Sequence, residues 1–206
     1  MIKSIISDLG KVIVDFDNNR FFSGLSRYCP YSFDEIVRKS RDHLHIHFAF
    51  DSGGIDPQEF YLRVKQILSA DLERDEFFRL YNDIFSLNEK VMQTFQRLKG
   101  KYRLIILSNT DPERFGFIKK TFPAIMDFDD FVLSFEQGCL KPHVEIYKIA
   151  LSKAQALPSE CIFIDDMEEN ISTAASLGFN TIHFKSGTDL IAELKRFRIN
   201  ISKKYL

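Results

Sequence analysis

The sequence predicts an α/β fold: a parallel sheet with helices on both faces, interrupted once by an all-helical insertion. Three observations support this. Apolar runs at 2–7, 104–107 and 161–164 are bounded by turns and alternate with helical patterns, as buried parallel strands do. Each run ends in a polar signal: Asp8, then Ser108-Asn109, then Asp165-Asp166, with Lys141 opening a Lys-Pro turn between the last two. Between them lies a long block with helical patterns only. In open parallel sheets ligands bind beyond the carboxyl ends of the strands, near the topological switch point. The polar signals are therefore expected to converge on one spot.

Taken in order, residues 3–7 form the first strand, and Gly10 breaks it just after Asp8. Residues 12–14 continue it briefly, and 15–19 read as a turn. From Arg20 to about Asn88 there are helices and no convincing strand. Ser32-Phe33-Asp34-Glu35 is a capping box. Asp56-Pro57-Gln58-Glu59 opens another helix, with Asp56 as N-cap, Pro57 at the first helical position, and Phe60, Val64, Ile67 and Leu68 on one face. Phe77, Phe78, Tyr81 and Phe85 mark a further helix. The expected organisation is a core of 1–16 and 89–206 with an inserted helical cap at 17–88. Asn88 caps helix 89–99, which Gly100 stops, and 103–107 is the second strand. Asp111-Pro112 caps the next helix, 131–133 is a short third strand, and helix 143–155 follows Lys141-Pro142. Residues 161–164 form the fourth strand, helix 168–177 ends at Gly178, and 181–184 is the fifth strand. Asp189 caps a last helix, and the tail 203–206 reads as frayed.

Composition narrows the function classes. A chain of 206 residues can bury a full core. A net charge of −1 with no long run of one sign argues against nucleic acid as the main partner. The apolar runs fall far short of the roughly 20 residues needed to span a bilayer, so no membrane partner is expected. No export signal is visible at the N-terminus. Cys29, Cys139 and Cys161 are odd in number and far apart, as reduced thiols are. A cytoplasmic location is expected.

Several residues suggest chemistry. Asp8 at a strand end can cap a loop, or act as a carboxylate nucleophile that attacks phosphorus and forms an aspartyl-phosphate. An anion approaching a phosphate dianion needs its charge neutralised, by a metal and by Lys141. Adjacent Asp165 and Asp166 repel each other unless a cation sits beside them, although either can simply cap helix 168–177. Mg²⁺ takes carboxylates, carbonyls and water, so one carboxylate from each strand and one backbone carbonyl suffice. Asn170, one helical turn after Asp166, is placed to orient the groups around such a metal. Ser108 and Asn109 offer a hydroxyl and an amide for phosphate oxygens, or an ordinary helix cap. His43, His45 and His47 share a face only in a strand, whereas their surroundings read as helical or irregular. They are expected to be polar cap residues rather than zinc ligands.

The ordered set Asp8-Leu9-Gly10-Lys11-Val12-Ile13-Val14-Asp15-Phe16-Asp17, Ile106-Leu107-Ser108-Asn109-Thr110, Leu140-Lys141-Pro142 with Ile146-Tyr147, and Phe163-Ile164-Asp165-Asp166 with Asn170 resembles the haloacid dehalogenase superfamily. It is most similar to the capped phosphatases of that superfamily, in a branch that includes bacterial glucose-1-phosphate phosphatases. Phe50-Asp51-Ser52-Gly53-Gly54-Ile55 with Phe60 is similar to a cap segment of that branch. The resemblance implies a Rossmann-like core and a Mg²⁺-dependent phosphomonoesterase acting on a small phosphorylated metabolite, such as a sugar phosphate. It implies Asp8 as nucleophile, with Asp8, the carbonyl of Gly10 and Asp166 holding Mg²⁺. Ser108 and Asn109 would bind phosphate, Lys141 would neutralise it, and Asp165 would support Lys141 or a metal-bound water. Two positions depart from the pattern. Gly10 stands where most phosphatases of the superfamily carry a second Asp as general acid and base, so slow turnover of alkyl phosphates is expected. His143 stands where Asp or Glu is common. Asp15 or Asp17 can supply the missing proton, or be purely structural. Two other readings stay open: a metal-free dehalogenase using the same nucleophile on carbon, and a silent phosphometabolite- or partner-binding protein.

Overall fold

The computed structural model describes residues 1–201; the tail expected to fray lies outside them. In chain order come β1 (Ser4–Ser7), β2 (Val14–Phe16), and the helices α1 (Asn18–Leu25), α2 (Phe33–Asp42), α3 (Leu44–Asp51), α4 (Pro57–Ile67) and α5 (Arg74–Asn82). Then follow β3 (Phe85–Leu87), α6 (Glu89–Leu98), β4 (Arg103–Ser108), α7 (Pro112–Thr121), β5 (Asp130–Leu133) and the short α8 (Ser134–Gln137). The chain continues through α9 (Val144–Ala154), β6 (Cys161–Asp165), α10 (Glu168–Ser176), β7 (Asn180–His183) and α11 (Leu190–Arg196).

Five strands form one parallel sheet in the order β5-β4-β1-β6-β7. Period-two alternation divides its side chains between two cores. Ile5, Leu104, Ile106, Ile162 and Ile164 face one cluster, packed by Val91 and Phe95 of α6 and Leu194 of α11. Ile6, Ile105, Leu107, Phe163 and Cys161 face the other, packed by Ile146, Tyr147 and Ala150 of α9 and Ala174 of α10. Both faces are covered, which is why these strands read as nearly continuous apolar runs. In register, Ser7 lies opposite Ile106 on one side and Ile164 on the other. Strand order turns outward in both directions from β1, so the switch point falls where Asp8 emerges.

The block between β2 and β3 holds α1–α5 and has its own hydrophobic cluster, built largely from phenylalanine. Phe50 stacks on Phe60 at 4.3 Å between ring centroids, and Phe77 stacks on Tyr81 at 5.9 Å. Its helices start where the caps predict: Ser32 and Glu35 form the reciprocal capping box of α2, and Asp56 accepts from Glu59 N to open α4.

One segment corrects the sequence reading. Phe85 is not helical. Helix α5 stops at Asn82, and Phe85–Leu87 pairs antiparallel with Val14–Phe16, a ribbon that joins the block to the sheet. Phe85 is apolar because it packs edge-on against Phe16 at 6.1 Å, a contact that mimics the helical spacing from Tyr81. Residues 15 and 16, expected in a turn, belong to this ribbon. The three histidines do not share a face: His43 caps α3, while His45 and His47 lie inside it.

Candidate active site

Asp8 follows β1 and is nearly buried, at 8% exposure. Its Oδ1 accepts from the Leu9 amide at 2.7 Å and lies 2.9 Å from Lys141 Nζ. Lys141 reaches over from the loop before α9 and is itself buried. Its Nζ also donates to Asp165 Oδ2 at 2.7 Å. Asp165 ends β6 with no exposure, and its Oδ1 accepts from the Met167 amide and Asn170 Nδ2, both at 2.9 Å. So Asp165 is fully engaged in holding the amine and the start of α10, and Asn170 acts on Asp165. Asp166, next in the chain, stays partly exposed. Asp8, Asp165 and Asp166 each offer a carboxylate oxygen within 4.8 Å of the others, the only such group of potential ligands among the described residues.

Electrostatics reflect this crowding. Burial, and secondarily Asp165, push the Asp8 carboxyl up to about 7 against the pull of Lys141. Burial and Asp165 also raise Asp166. Burial presses the Lys141 amine towards neutrality, but Asp8 and Asp165 more than offset that, so its pKa is raised. One amine does not neutralise three carboxylates, and the surplus negative charge faces the exposed side of Asp166.

Ser108 ends β4, buried, and its Oγ makes only a long 3.5 Å contact with the Asn109 carbonyl. Asn109 is engaged with Lys141. Its side chain forms a two-way clamp on the Lys141 backbone, Nδ2 to the carbonyl at 2.9 Å and Oδ1 from the amide at 2.8 Å. The amide expected on phosphate therefore also positions Lys141, with one Nδ2 hydrogen not used in that clamp. His183, which drew no attention in the sequence, places Nε2 2.9 Å from the Asp166 carbonyl.

At Gly10 the missing side chain has been replaced by a ring. A Cβ there would meet Phe16 Cε1 at 3.1 Å. Lys11 adopts a left-handed backbone with φ 56° and donates to the Phe16 carbonyl at 2.6 Å and to the Asp15 carboxylate. Asp17 caps α1 through Asn19 N. Both acids considered as substitute proton donors thus have structural employment.

A second polar group lies where the helical block meets the sheet domain. Asp111 is fully buried; it accepts from Arg114 N at 2.9 Å as the cap of α7 and from Tyr81 Oη of α5 at 2.8 Å. The Arg114 guanidinium lies over the Tyr81 ring at 4.2 Å. Asp51, at the end of α3, is pushed up to about 7 by burial and by Asp111, against Arg114. His47, one turn earlier, is pulled down to about 4 by burial and by Arg114. Ser134 Oγ bonds the Asp51 carbonyl and accepts from the Thr110 amide at 2.9 Å, tying α3 to the residue after Asn109. A stability prediction follows. Asp51 binds a proton in the fold up to about pH 7 but gives it up near 3.8 when unfolded. The fold therefore loses stability as pH rises through that window. Asp51→Asn is expected to raise Tm at pH 8 and to change it little at pH 4, as measured by calorimetry.

Comparison with known proteins agrees with this fold. The family model of haloacid dehalogenase-like hydrolases matches residues 3–178. A D-ribitol-5-phosphate phosphatase of Bacteroides thetaiotaomicron is 26% identical over 201 residues, covering 94% of this chain and 97% of that one. A solved structure of a family enzyme from the same organism, in complex with magnesium and inorganic phosphate, superposes with a TM-score of 0.84 at 27% identity, covering 94% of this chain and 99% of that one. The L-2-haloacid dehalogenase of Xanthobacter autotrophicus shares the fold, with a TM-score of 0.67 at 17% identity over 98% of this chain and 85% of that one. The aspartate at the switch point, the buried lysine and the paired strand-end aspartates thus sit in a chain that belongs to the haloacid dehalogenase-like hydrolase family.

Proposed function

We propose that this hydrolase is a Mg²⁺-dependent phosphomonoesterase acting on a small phosphorylated metabolite of the polyol or sugar type. The observation that carries the reading is the cluster of three carboxylates within 4.8 Å around one buried amine. The donor set is all hard oxygen, as a small divalent cation requires. Asp8, the Gly10 carbonyl and Asp166 would hold the ion, because Asp165 is already spent on Lys141, Met167 N and Asn170. A bound Mg²⁺ offsets the charge of the carboxylates and of the phosphate oxygens. A dehalogenase gains nothing from extra anions, which hinder departure of a halide.

Asp8 Oδ attacks phosphorus, the ester P–O bond breaks, and the leaving alkoxide takes a proton from water. A water molecule then attacks the aspartyl-phosphate, releasing phosphate and restoring Asp8. Lys141 holds Asp8 by one oxygen and compensates charge on the phosphoryl group. Ser108 Oγ, lacking a short partner, donates to a phosphoryl oxygen. The α1–α5 block acts as a cap that closes over the site and excludes large esters. Support for a polyol or sugar phosphate comes from the relative named as a D-ribitol-5-phosphate phosphatase.

The test is release of phosphate from a panel of metabolite phosphates with and without Mg²⁺, together with Mg²⁺ titration calorimetry. Asp166→Ala is expected to abolish metal-dependent turnover and to weaken Mg²⁺ binding at least about tenfold, since half of the anionic cage is lost. Unchanged Mg²⁺ affinity in that variant would overturn the metal assignment.

A further inference from the structure

We infer that His183 is a positioning residue for the metal site: its imidazole pins the backbone behind Asp166 and so aims that carboxylate at the cation. The inference rests on the Mg²⁺-dependent phosphomonoesterase reading and adds to it a residue that no step of the reaction uses.

The carboxylates of the site are held in different ways. Asp165 is fixed by three donors, Lys141 Nζ, Met167 N and Asn170 Nδ2. Asp8 is fixed by Leu9 N and Lys141 Nζ. Among the described residues, nothing but its own backbone amide is hydrogen-bonded to the Asp166 carboxylate. The direction of that side chain is therefore set by the main chain.

The main chain is gripped at one peptide group. The Asp166 carbonyl and the Met167 amide share a plane. The amide donates to Asp165 Oδ1 at 2.9 Å, and the carbonyl accepts from His183 Nε2 at 2.9 Å. A carbonyl only accepts, so Nε2 carries the hydrogen. No amide of α10 serves this carbonyl, because the bond that opens the helix runs from Ile171 N to the Met167 carbonyl. With both polar groups of the plane engaged, rotation about the Asp166 Cα–C bond is blocked, and the Cα–Cβ bond keeps one direction. With the amide alone engaged, the plane swings about a single tether and the carboxylate swings with it.

His183 reaches this peptide from the neighbouring strand. It lies opposite Asp165 in the parallel pairing of β6 with β7, and Phe184 N continues the ladder to the Asp165 carbonyl at 2.8 Å. Ile182 and Phe184, on either side of it, face the core packed by α6 and α11. Alternation puts His183 on the opposite face, the one Asp165 shares, where it is half-buried. Packing alone at such a strand position is served best by a β-branched residue. An imidazole that donates to a carbonyl with no backbone partner performs a different task. Groups that orient a metal ligand from behind typically change metal affinity by about 10- to 100-fold when removed.

The experiment titrates Mg²⁺ into metal-free wild type, His183→Leu, His183→Asn and His183→Gln by calorimetry, and records Tm of each without metal. His183→Leu removes the donor, and the Asn amide falls short of the carbonyl. Both are expected to raise the Kd for Mg²⁺ about tenfold. The Gln amide reaches the position of Nε2, so His183→Gln is expected to stay within about threefold of wild type. The Mg²⁺ concentration that half-saturates phosphate release should shift in parallel. A packing role lowers Tm and leaves the Mg²⁺ affinity of the folded variants within about threefold of wild type, which overturns the inference while the phosphatase reading stands. Binding by His183→Gln as weak as by His183→Asn also overturns it. Absence of Mg²⁺ binding in wild type overturns the metal assignment, and the inference with it.

Discussion

Asp8→Asn is expected to reduce phosphate release by at least about 10⁴-fold, the scale on which losing a covalent nucleophile registers in other hydrolases. The amide keeps the size of the side chain, so Asn can still accept from the Leu9 amide where Asp8 does now at 2.7 Å. What disappears is the anionic oxygen held by Lys141, and a neutral amide does not attack phosphorus. Folding should not confound the result. In the metal-free protein burial has already pushed the Asp8 carboxyl up to about 7, so a neutral group at this position relieves the fold. The control is chemical trapping: wild type should bind beryllium fluoride as an aspartyl-phosphate mimic and the variant should not. Turnover by Asp8→Asn within tenfold of wild type would exclude a covalent mechanism through this residue.

Lys141→Met is expected to damage both stability and catalysis. The amine is buried and sits between Asp8 Oδ1 at 2.9 Å and Asp165 Oδ2 at 2.7 Å. Removing it leaves two facing carboxylates with no counter-charge. Breaking a buried ion pair from one side typically costs about 3–5 kcal/mol, which lowers Tm by about 10 °C in a chain of this size. Turnover should fall at least about 10²–10³-fold, the effect of losing one preorganised charge partner. Added Mg²⁺ should recover part of the Tm and little of the turnover, because a cation relieves the repulsion without restoring the donor. A variant with unchanged Tm in calorimetry would show that Lys141 does not hold the cluster together.

The strand ends were legible in the sequence for a simple reason. A buried parallel strand is a short apolar run, so the first polar residue after it marks the sheet edge, and Asp8, Ser108 and Asp165 each announce themselves in this way. Parallel pairing then brings them level. Contacts made by the far side of a loop are not encoded locally. Asn109 reads only as a ligand group because nothing nearby in sequence shows that its amide will also clamp the backbone of Lys141, over thirty residues on. Phe85 reads as helical because an aromatic residue at helical spacing looks the same whether it packs within a helix or onto Phe16. The three histidines invite a metal only if they alternate in a strand; α3 rotates His45 and His47 apart. The grouping at the seam was not legible: Tyr81 reads as one apolar position of a helix, Asp111 as a helix cap, and Asp51 as part of a segment similar to a cap of the superfamily, and nothing in their spacing joins them.

The ribbon of β2 and β3 has a topological consequence. Phe16 and Phe85 are paired across it, so the chain leaves the sheet domain and returns to it at adjacent points. Everything between is an insertion with closed ends, equivalent in connectivity to the tip of a hairpin. Two antiparallel strands can be joined by as few as two residues. The sheet domain therefore does not depend on the intervening length, and its principal clusters draw on no residue of α1–α5. Such a junction lets the inserted helices change in number, size or sequence without disturbing the switch point where Asp8 emerges. The inserted helices and the strand ends are thus segments of the chain that can diverge at different rates.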